Sequence, residues 1–211
     1  MKKAVLLLAV ILFNFSIYSQ KPCPETPTVT YAGKTYNTVQ IGEQCWLKEN
    51  LDVGTMIQRK SDQTDNGKIE KYCYEDKPEN CDKYGGLYQW NEVMQYSKKE
   101  KVQGLCPSGW HIPTKEEFEA LKTVVNNSSD ALLAVGQRNG TNTSGFSALL
   151  AGLRGSNGGF YDSGGRAGFW SSTEYNADYA YYMYLRNFYS TVFLDNYGKT
   201  YGFSARCSKD S

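Results

Sequence analysis

The reactive side chains of this 211-residue chain are one histidine (His111), the acids Glu116, Glu117 and Glu119, the run Ser171-Ser-Thr-Glu174, and six cysteines. Each points to a chemistry that its neighbours do not support. A general base needs a nucleophile or an orienting partner in a recognisable pattern, and His111 has none beside it in sequence. It reads as a structural histidine hydrogen-bonded beneath the start of a helix. The hydroxyl run lacks the Gly-x-Ser-x-Gly turn that presents a nucleophilic serine, so it reads as satisfying backbone groups where a strand leaves the core. The glutamates fall at the beginning of a helix, where carboxylates complement its dipole, and not as the facing pair of a glycosidase. Zinc is disfavoured by the single histidine and by the lack of any Cys-x-x-Cys pair. No catalytic residue and no metal ligand is assigned.

The cysteines read as disulfides, because an even count in an exported chain favours bridges. Cys73 and Cys81 flank a turn-rich loop that a local bridge would pin. Cys106 with Cys207 closes a long loop, where the chain-entropy account gives about 4–5 kcal/mol. Cys23 and Cys45 remain for each other and tie the N-terminal tail to the first strand pair. Export is read from the start of the chain: Lys2 and Lys3, the apolar run Ala4 to Phe13, and Ser19 at a cleavage point predict a signal peptide over 1–19. A short linker follows over 20–28, then one domain over 29–211. Nothing later is apolar enough to span a bilayer. The 23 basic residues less Lys2 and Lys3 leave 21 against 22 acidic ones, which argues against nucleic acid or an anionic membrane as partner. The expected location is the periplasm, the cell surface or the medium.

Several elements must position these groups. Residues 28–41 alternate around Gly33-Lys34 as a β-hairpin, and Cys45 to Leu51 packs against it. Residues 58–70 are polar and aperiodic and read as a mobile loop. Leu87, Trp90, Val93 and Met94 recur at helical spacing, predicting a first helix within 84–96 that starts at Gly85-Gly86. Thr114 with Glu117 forms a capping box for a second helix carrying Phe118, Leu121, Val124 and Val125. A helical turn is expected near 130–135. Strands follow at 146–154, 168–173, 179–185, 189–194 and 201–207, the last forming an antiparallel meander with Asp195 to Gly198 as its turn. Trp46, Trp90, Trp110 and Trp170 read as core residues and not as sugar platforms.

The loops 155–166 and 174–178 and the meander edge offer Phe160, Tyr161, Asp162, Arg166, Tyr175, Asn176, Tyr181, Tyr189 and Tyr197. Tyrosine, asparagine, serine and glycine suit adaptable recognition surfaces, because tyrosine brings large contact area at low entropy cost. Strand-face packing is the competing reading. Tyr161, Asp162, Arg166, Tyr175, Asn176, Tyr189 and Tyr197 are taken as the ligand-binding set.

Six segments together resemble the Fibrobacter succinogenes major paralogous domain, a family of exported bacterial proteins. They are Gly33 to Leu51, Tyr84-Gly-Gly-Leu-Tyr-Gln-Trp90, Cys106-Pro-Ser-Gly-Trp-His-Ile-Pro113, Gly145-Phe-Ser-Ala-Leu149, Gly168-Phe-Trp-Ser-Ser-Thr-Glu174 and Gly202-Phe-Ser-Ala-Arg-Cys207, spanning about residues 29 to 208. The resemblance implies an α+β, C-type-lectin-like fold: two helices, small antiparallel sheets, long ordered loops and a disulfide staple. It is similar to the fold of formylglycine-generating enzymes, but no cysteine pair stands where their copper-binding pair would. Lectins of this fold that bind sugar through calcium use Glu-Pro-Asn or Gln-Pro-Asp and Trp-Asn-Asp, and none occurs here. No cofactor is expected; calcium alone stays open, since Asn157, Asp162, Asp178 and Asp195 could supply oxygens.

The sequence is therefore read as an exported, non-catalytic binding or adhesion module that recognises a glycan or a cell-surface protein through its loop face. The alternatives are an enzyme on the same fold acting on polysaccharide or peptide, and a structural envelope protein.

Overall fold

The computed structural model describes residues 20–210; the expected signal peptide, 1–19, lies outside the described residues. β1 (Thr28–Tyr31) and β2 (Lys34–Ile41) form the first hairpin. Its reversal is Ala32-Gly33, one residue earlier than the expected Gly33-Lys34. Both residues have positive φ, 48° and 79°, the backbone that lets a two-residue loop follow the strand twist. β3 (Gln44–Leu47) pairs with β2, and the Cys23–Cys45 bridge ties the tail to it.

β4 (Thr55–Met56) and β5 (Glu70–Lys71) pair in parallel and bracket the polar segment expected to be mobile. That segment is tied down. The Gln63 and Gln89 backbone N–H groups each donate to the other's side-chain oxygen, at 2.9 and 2.6 Å, and Tyr72 Oη donates to the Ser61 carbonyl at 2.8 Å. A 3-10 turn, Tyr74–Asp76, and α1 (Pro78–Tyr84) occupy the Cys73–Cys81 link. Gly85-Gly86 ends this helix and does not start the next one. Gly85 has φ 80°, and a Cβ there would meet the Leu51 carbonyl oxygen at 2.9 Å.

β6 (Leu87–Tyr88) then pairs with a late strand, so its backbone is committed to a sheet. After Tyr84, which ends α1, only Trp90–Val93, α2, is helical in the expected 84–96 stretch. Tertiary pairing overrides the helical spacing of its apolar residues. β7 (Trp110–His111) precedes α3 (Lys115–Val124), whose capping box between Thr114 and Glu117 is present as expected. α4 (Ser129–Leu132) is the helical turn expected near 130. The described residues thus hold four helices where two helices and one helical turn were expected; α1 is the addition, a short segment without an apolar stripe long enough to read.

In the second half, β8 (Leu153–Arg154) pairs with β9 (Phe160–Tyr161). The rest of the expected strand 146–154 is irregular, with Ser147 at φ 57°. β10 (Arg166–Glu174), β11 (Tyr179–Arg186) and β12 (Phe193–Gly198) are antiparallel neighbours. Asp195 to Gly198, expected as a turn, lies inside β12, where Asp195 opposes Tyr182. β13 (Phe203–Ser204) pairs with β10 in parallel and with β6 antiparallel, so the meander does not run to the end. β14 (Ser208–Lys209) pairs with β3 and β7. The two five-stranded sheets run β1-β2-β3-β14-β7 and β12-β11-β10-β13-β6.

The second sheet separates two apolar cores. Phe169, Met183 and Leu185 face Trp46, Phe118 and Phe146; Trp170 and Tyr182 face Trp90, Trp110 and Phe203. A strand apolar on both faces reads as a continuous run, as β10 does. All four tryptophans are buried, and the Cys106–Cys207 bridge joins the stretch before β7 to the stretch before β14. No helix among the described residues is long and apolar enough to cross a membrane. Three disulfides with no free cysteine suit an oxidising compartment outside the cytoplasm.

Candidate recognition site

Tyr161, Asp162, Arg166 and Tyr197 come together around a hollow of about 390 Å³ that Leu153, Asn157 and Tyr201 complete. The β8–β9 hairpin sets one wall. Its loop is closed by Gly155 N–H donating to the Gly159 carbonyl at 2.7 Å, while Asn157 Nδ2 donates to Tyr161 Oη at 2.7 Å. Glycine at 155 lets the ring approach closely, since a Cβ there would stand 2.7 Å from Tyr161 Cε2 and push the ring outward. The tyrosine ring therefore lies against loop backbone while remaining 45 % exposed.

The other wall is the edge-to-face pair Tyr197 and Tyr201, with ring centroids 4.6 Å apart. Arg166, at the start of β10, forms part of the lining. Its guanidinium carbon lies 5.8 Å from the Tyr184 ring centroid and 6.0 Å from that of Tyr197, distances at which aromatic faces attract a cation. Asp162 adopts a left-handed backbone, φ 60°, and its carboxylate sits 3.3 Å from Arg166 Nε and 3.5 Å from Arg186 Nη1. The Arg166 contact is an ion pair without hydrogen-bond geometry: Arg166 Nε and Nη1 are enclosed and have no hydrogen-bond partner among the described residues. Beneath lies Arg154, 1 % exposed, over the Tyr72 ring and donating to the carbonyls of Arg59 and Thr200.

A second hollow of about 640 Å³ shares Tyr197 and Tyr201 with the first and adds Asn91, Asp178, Tyr179 and Lys199. Lys199 Nζ pairs with Glu174, donates to the Asn176 and Ala177 carbonyls, and lies 4.4 Å from the Trp90 ring centroid. It thereby anchors loop 174–178 to the sheet. The two hollows form one tyrosine-divided face.

The remaining residues of the expected set lie elsewhere. Asn176 Oδ1 accepts from the backbone N–H groups of Asp178 and Tyr179, each at 2.9 Å, so its side chain shapes the loop. Tyr175 is exposed and packs edge-on against Tyr181. Neither lines these two hollows. Tyr189 sits at the β11–β12 reversal against Phe193, its carbonyl accepting from Ser129 Oγ and Arg138 Nη1. Phe160 packs on Tyr74. Sequence reasoning missed Tyr201, Lys199 and Arg154. Tyr201 carried a legible signal, a tyrosine beside the Gly202 motif, but buried arginine and lysine carry none.

The candidate reactive groups are held in structural contacts. His111 is fully buried, with Nδ1 2.6 Å from Asp210 and Nε2 2.9 Å from both Glu117 oxygens. Burial alone would lower its pKa, but its hydrogen bonds to Glu117 and Asp210 outweigh this and raise it. Ser171 Oγ donates to the Tyr181 carbonyl, Ser172 Oγ to that of Pro113, and Thr173 Oγ1 accepts from the Lys115 N–H. Glu92 is buried with no ion pair among the described residues; burial raises its pKa, opposed by hydrogen bonds from the Glu70 N–H, Tyr96 and Gln95. Among the described residues no three His, Cys, Asp or Glu side chains gather as a metal-binding group. Of the oxygens considered for calcium, Asp162 faces two arginines and Asp178 lines the other hollow.

A family model described as the Fibrobacter succinogenes major domain matches residues 39–209. No curated protein and no solved structure matches the chain.

Proposed function

Since this chain belongs to the Fibrobacter succinogenes major domain family, we propose that it is an exported, non-catalytic module that binds a glycan across the tyrosine-divided face. One observation carries this reading: Tyr161, Tyr197 and Tyr201 bound a concave site that also offers Asn157, Asp162 and Arg166. Flat rings beside a few fixed polar groups are what stacking on a sugar ring and hydrogen bonding to its hydroxyls require. A C-type-lectin-like arrangement accords with it, since early strands β1 to β3 and the late strand β14 share one sheet.

An enzyme on this scaffold is less well supported, because His111 is enclosed and the Ser171 and Ser172 hydroxyls are engaged with carbonyls. The test is a glycan array probed with the purified mature protein and with its Tyr161→Ala and Tyr201→Ala variants. Binding that both variants weaken by about tenfold supports the reading. Absence of any glycan binder, or binding indifferent to both changes, overturns it.

A further inference from the structure

We infer that the hollow beside Arg166 takes an acidic sugar, with this guanidinium gripping a carboxylate or sulfate group on the glycan. The inference rests on the glycan reading above and adds to it the charge of the ligand.

Three observations carry it. First, Arg166 is 6 % exposed, and two of its nitrogens, Nε and Nη1, are enclosed without a hydrogen-bond partner among the described residues. Buried charged groups are almost always well hydrogen-bonded in folded proteins, so a guanidinium this short of partners in a site wall marks a place for an acceptor at its one open nitrogen. Nη2 is the guanidinium nitrogen not so enclosed, and the residue lines the hollow.

Second, the local charge is unbalanced. Arg59 pairs with Asp76 and Arg154 with Asp62, each at 3.3 Å, one cation to one anion. Arg166 and Arg186 by contrast share a single Asp162 oxygen. Asp195, the acid on the neighbouring strand β12, makes no ion pair with either arginine among the described residues. Asp195 stands near the same Tyr182 and Tyr184 rings, so what the pair lacks is a second anionic oxygen in contact with Arg166, the one-to-one match that the other two arginines have.

Third, the surroundings hold the guanidinium in place. Tyr184 and Tyr197 lie against it and the ion pair with Asp162 fixes its Nε side. A cation held by rings and a carboxylate is pre-organised to offer its open Nη2 to one oxygen of an acidic group. Tyr161 and Tyr197 stand on the same hollow to receive the sugar ring that carries it.

The test is calorimetric titration with four probes: a uronic acid oligosaccharide, the same oligosaccharide with its carboxyl groups reduced, a sulfated oligosaccharide, and tetraglutamate. The uronic or the sulfated probe is expected to bind at least about tenfold more tightly than the reduced one, and the stronger of the two names the acidic group. Arg166→Gln is expected to erase this preference, whereas Tyr161→Ala weakens acidic and neutral probes alike. Should Arg166→Gln fail to fold, Arg186→Gln serves instead. It frees Asp162 to neutralise Arg166 and is expected to reduce the preference several-fold. Equal binding of reduced and acidic probes would overturn the inference while leaving the glycan reading intact, as would a preference that survives Arg166→Gln. No binding by any glycan, with or without tetraglutamate binding, would overturn both.

Discussion

Arg206 and Asn50, 156 residues apart in sequence, share a bifurcated contact: Arg206 Nε and Nη2 both donate to Asn50 Oδ1, at 3.2 and 2.6 Å. Arg206 Nη1 donates to the Leu47 and Phe146 carbonyls. No carboxylate pairs with this buried cation among the described residues, and the rings of Phe146 and Phe169 flank it at 4.4 and 5.4 Å. Burial lowers its pKa to about 9, which leaves it protonated at neutral pH. Arg206 therefore acts as a pin between the loop after β3, the Phe146 segment and the closing strand.

Replacing that pin should be severe. Arg206→Ala leaves three buried acceptors unpartnered, for an expected loss of about 3 kcal/mol or more. Arg206→Lys should recover little, because one ammonium cannot reproduce the planar fork. Urea unfolding of the two variants checks this; a loss below about 1 kcal/mol for Arg206→Ala would refute the pin.

His111 predicts a pH dependence with a definite sign. Its folded pKa is raised above the ordinary 6.5, so its contribution is complete below that value and disappears as pH rises through the folded one. Glu117 has its folded pKa lowered from 4.5; burial alone would raise it, but the bonds from His111 and the Thr114 N–H outweigh that. Its contribution is present above 4.5 and disappears as pH falls through the folded value. Asp210, Glu117 and Lys101, 3.6 Å from Glu117, are the charged groups around the site. From these two groups, stability should peak on the mildly acidic side and decline above it. His111→Gln should flatten the alkaline decline, measured as urea midpoints from roughly pH 5 to 9. An unchanged slope in the variant would assign the decline to other groups.

The bridges should differ in weight. Cys106–Cys207 spans 101 residues and Cys73–Cys81 spans 8. In the chain-entropy account, paired Cys→Ala changes should lower stability by about 4–5 kcal/mol for the long bridge and about 2–3 for the short one. Unfolding of the two double variants tests the order, and equal losses would mean that effects in the folded state dominate.

Much of this architecture was legible because its causes are local. The Thr114–Glu117 capping box acts over one helical turn, and β11 announces itself by alternation along its own length. The pairing of six cysteines followed from their spacing. Other features were not legible for a common reason. Gly85-Gly86 looks like the start of a helix until Leu51, more than thirty residues away, packs against it and β13 claims Leu87 and Tyr88. The expected tyrosine face divides into separate patches because strand register, not composition, decides which side chains meet. Register alone sets Tyr197 opposite Ala180 and Arg166 opposite Arg186. The guanidinium reaches toward the Tyr197 ring across the β11 face, past Tyr184, while Tyr189 stands at the nearby β11–β12 reversal against Phe193, outside the hollow.

The order of segments, their turn and cap chemistry and their cysteine spacing were enough to determine an α+β chain stapled by three bridges and matched to one family. Only the tertiary structure decided which arginines are buried, that β13 runs parallel to β10, and that Tyr161, Arg166, Tyr197 and Tyr201 line one hollow. The division is physical. Signals within a few residues act through backbone geometry alone, whereas burial and charge balance depend on partners that folding brings in from across the whole chain.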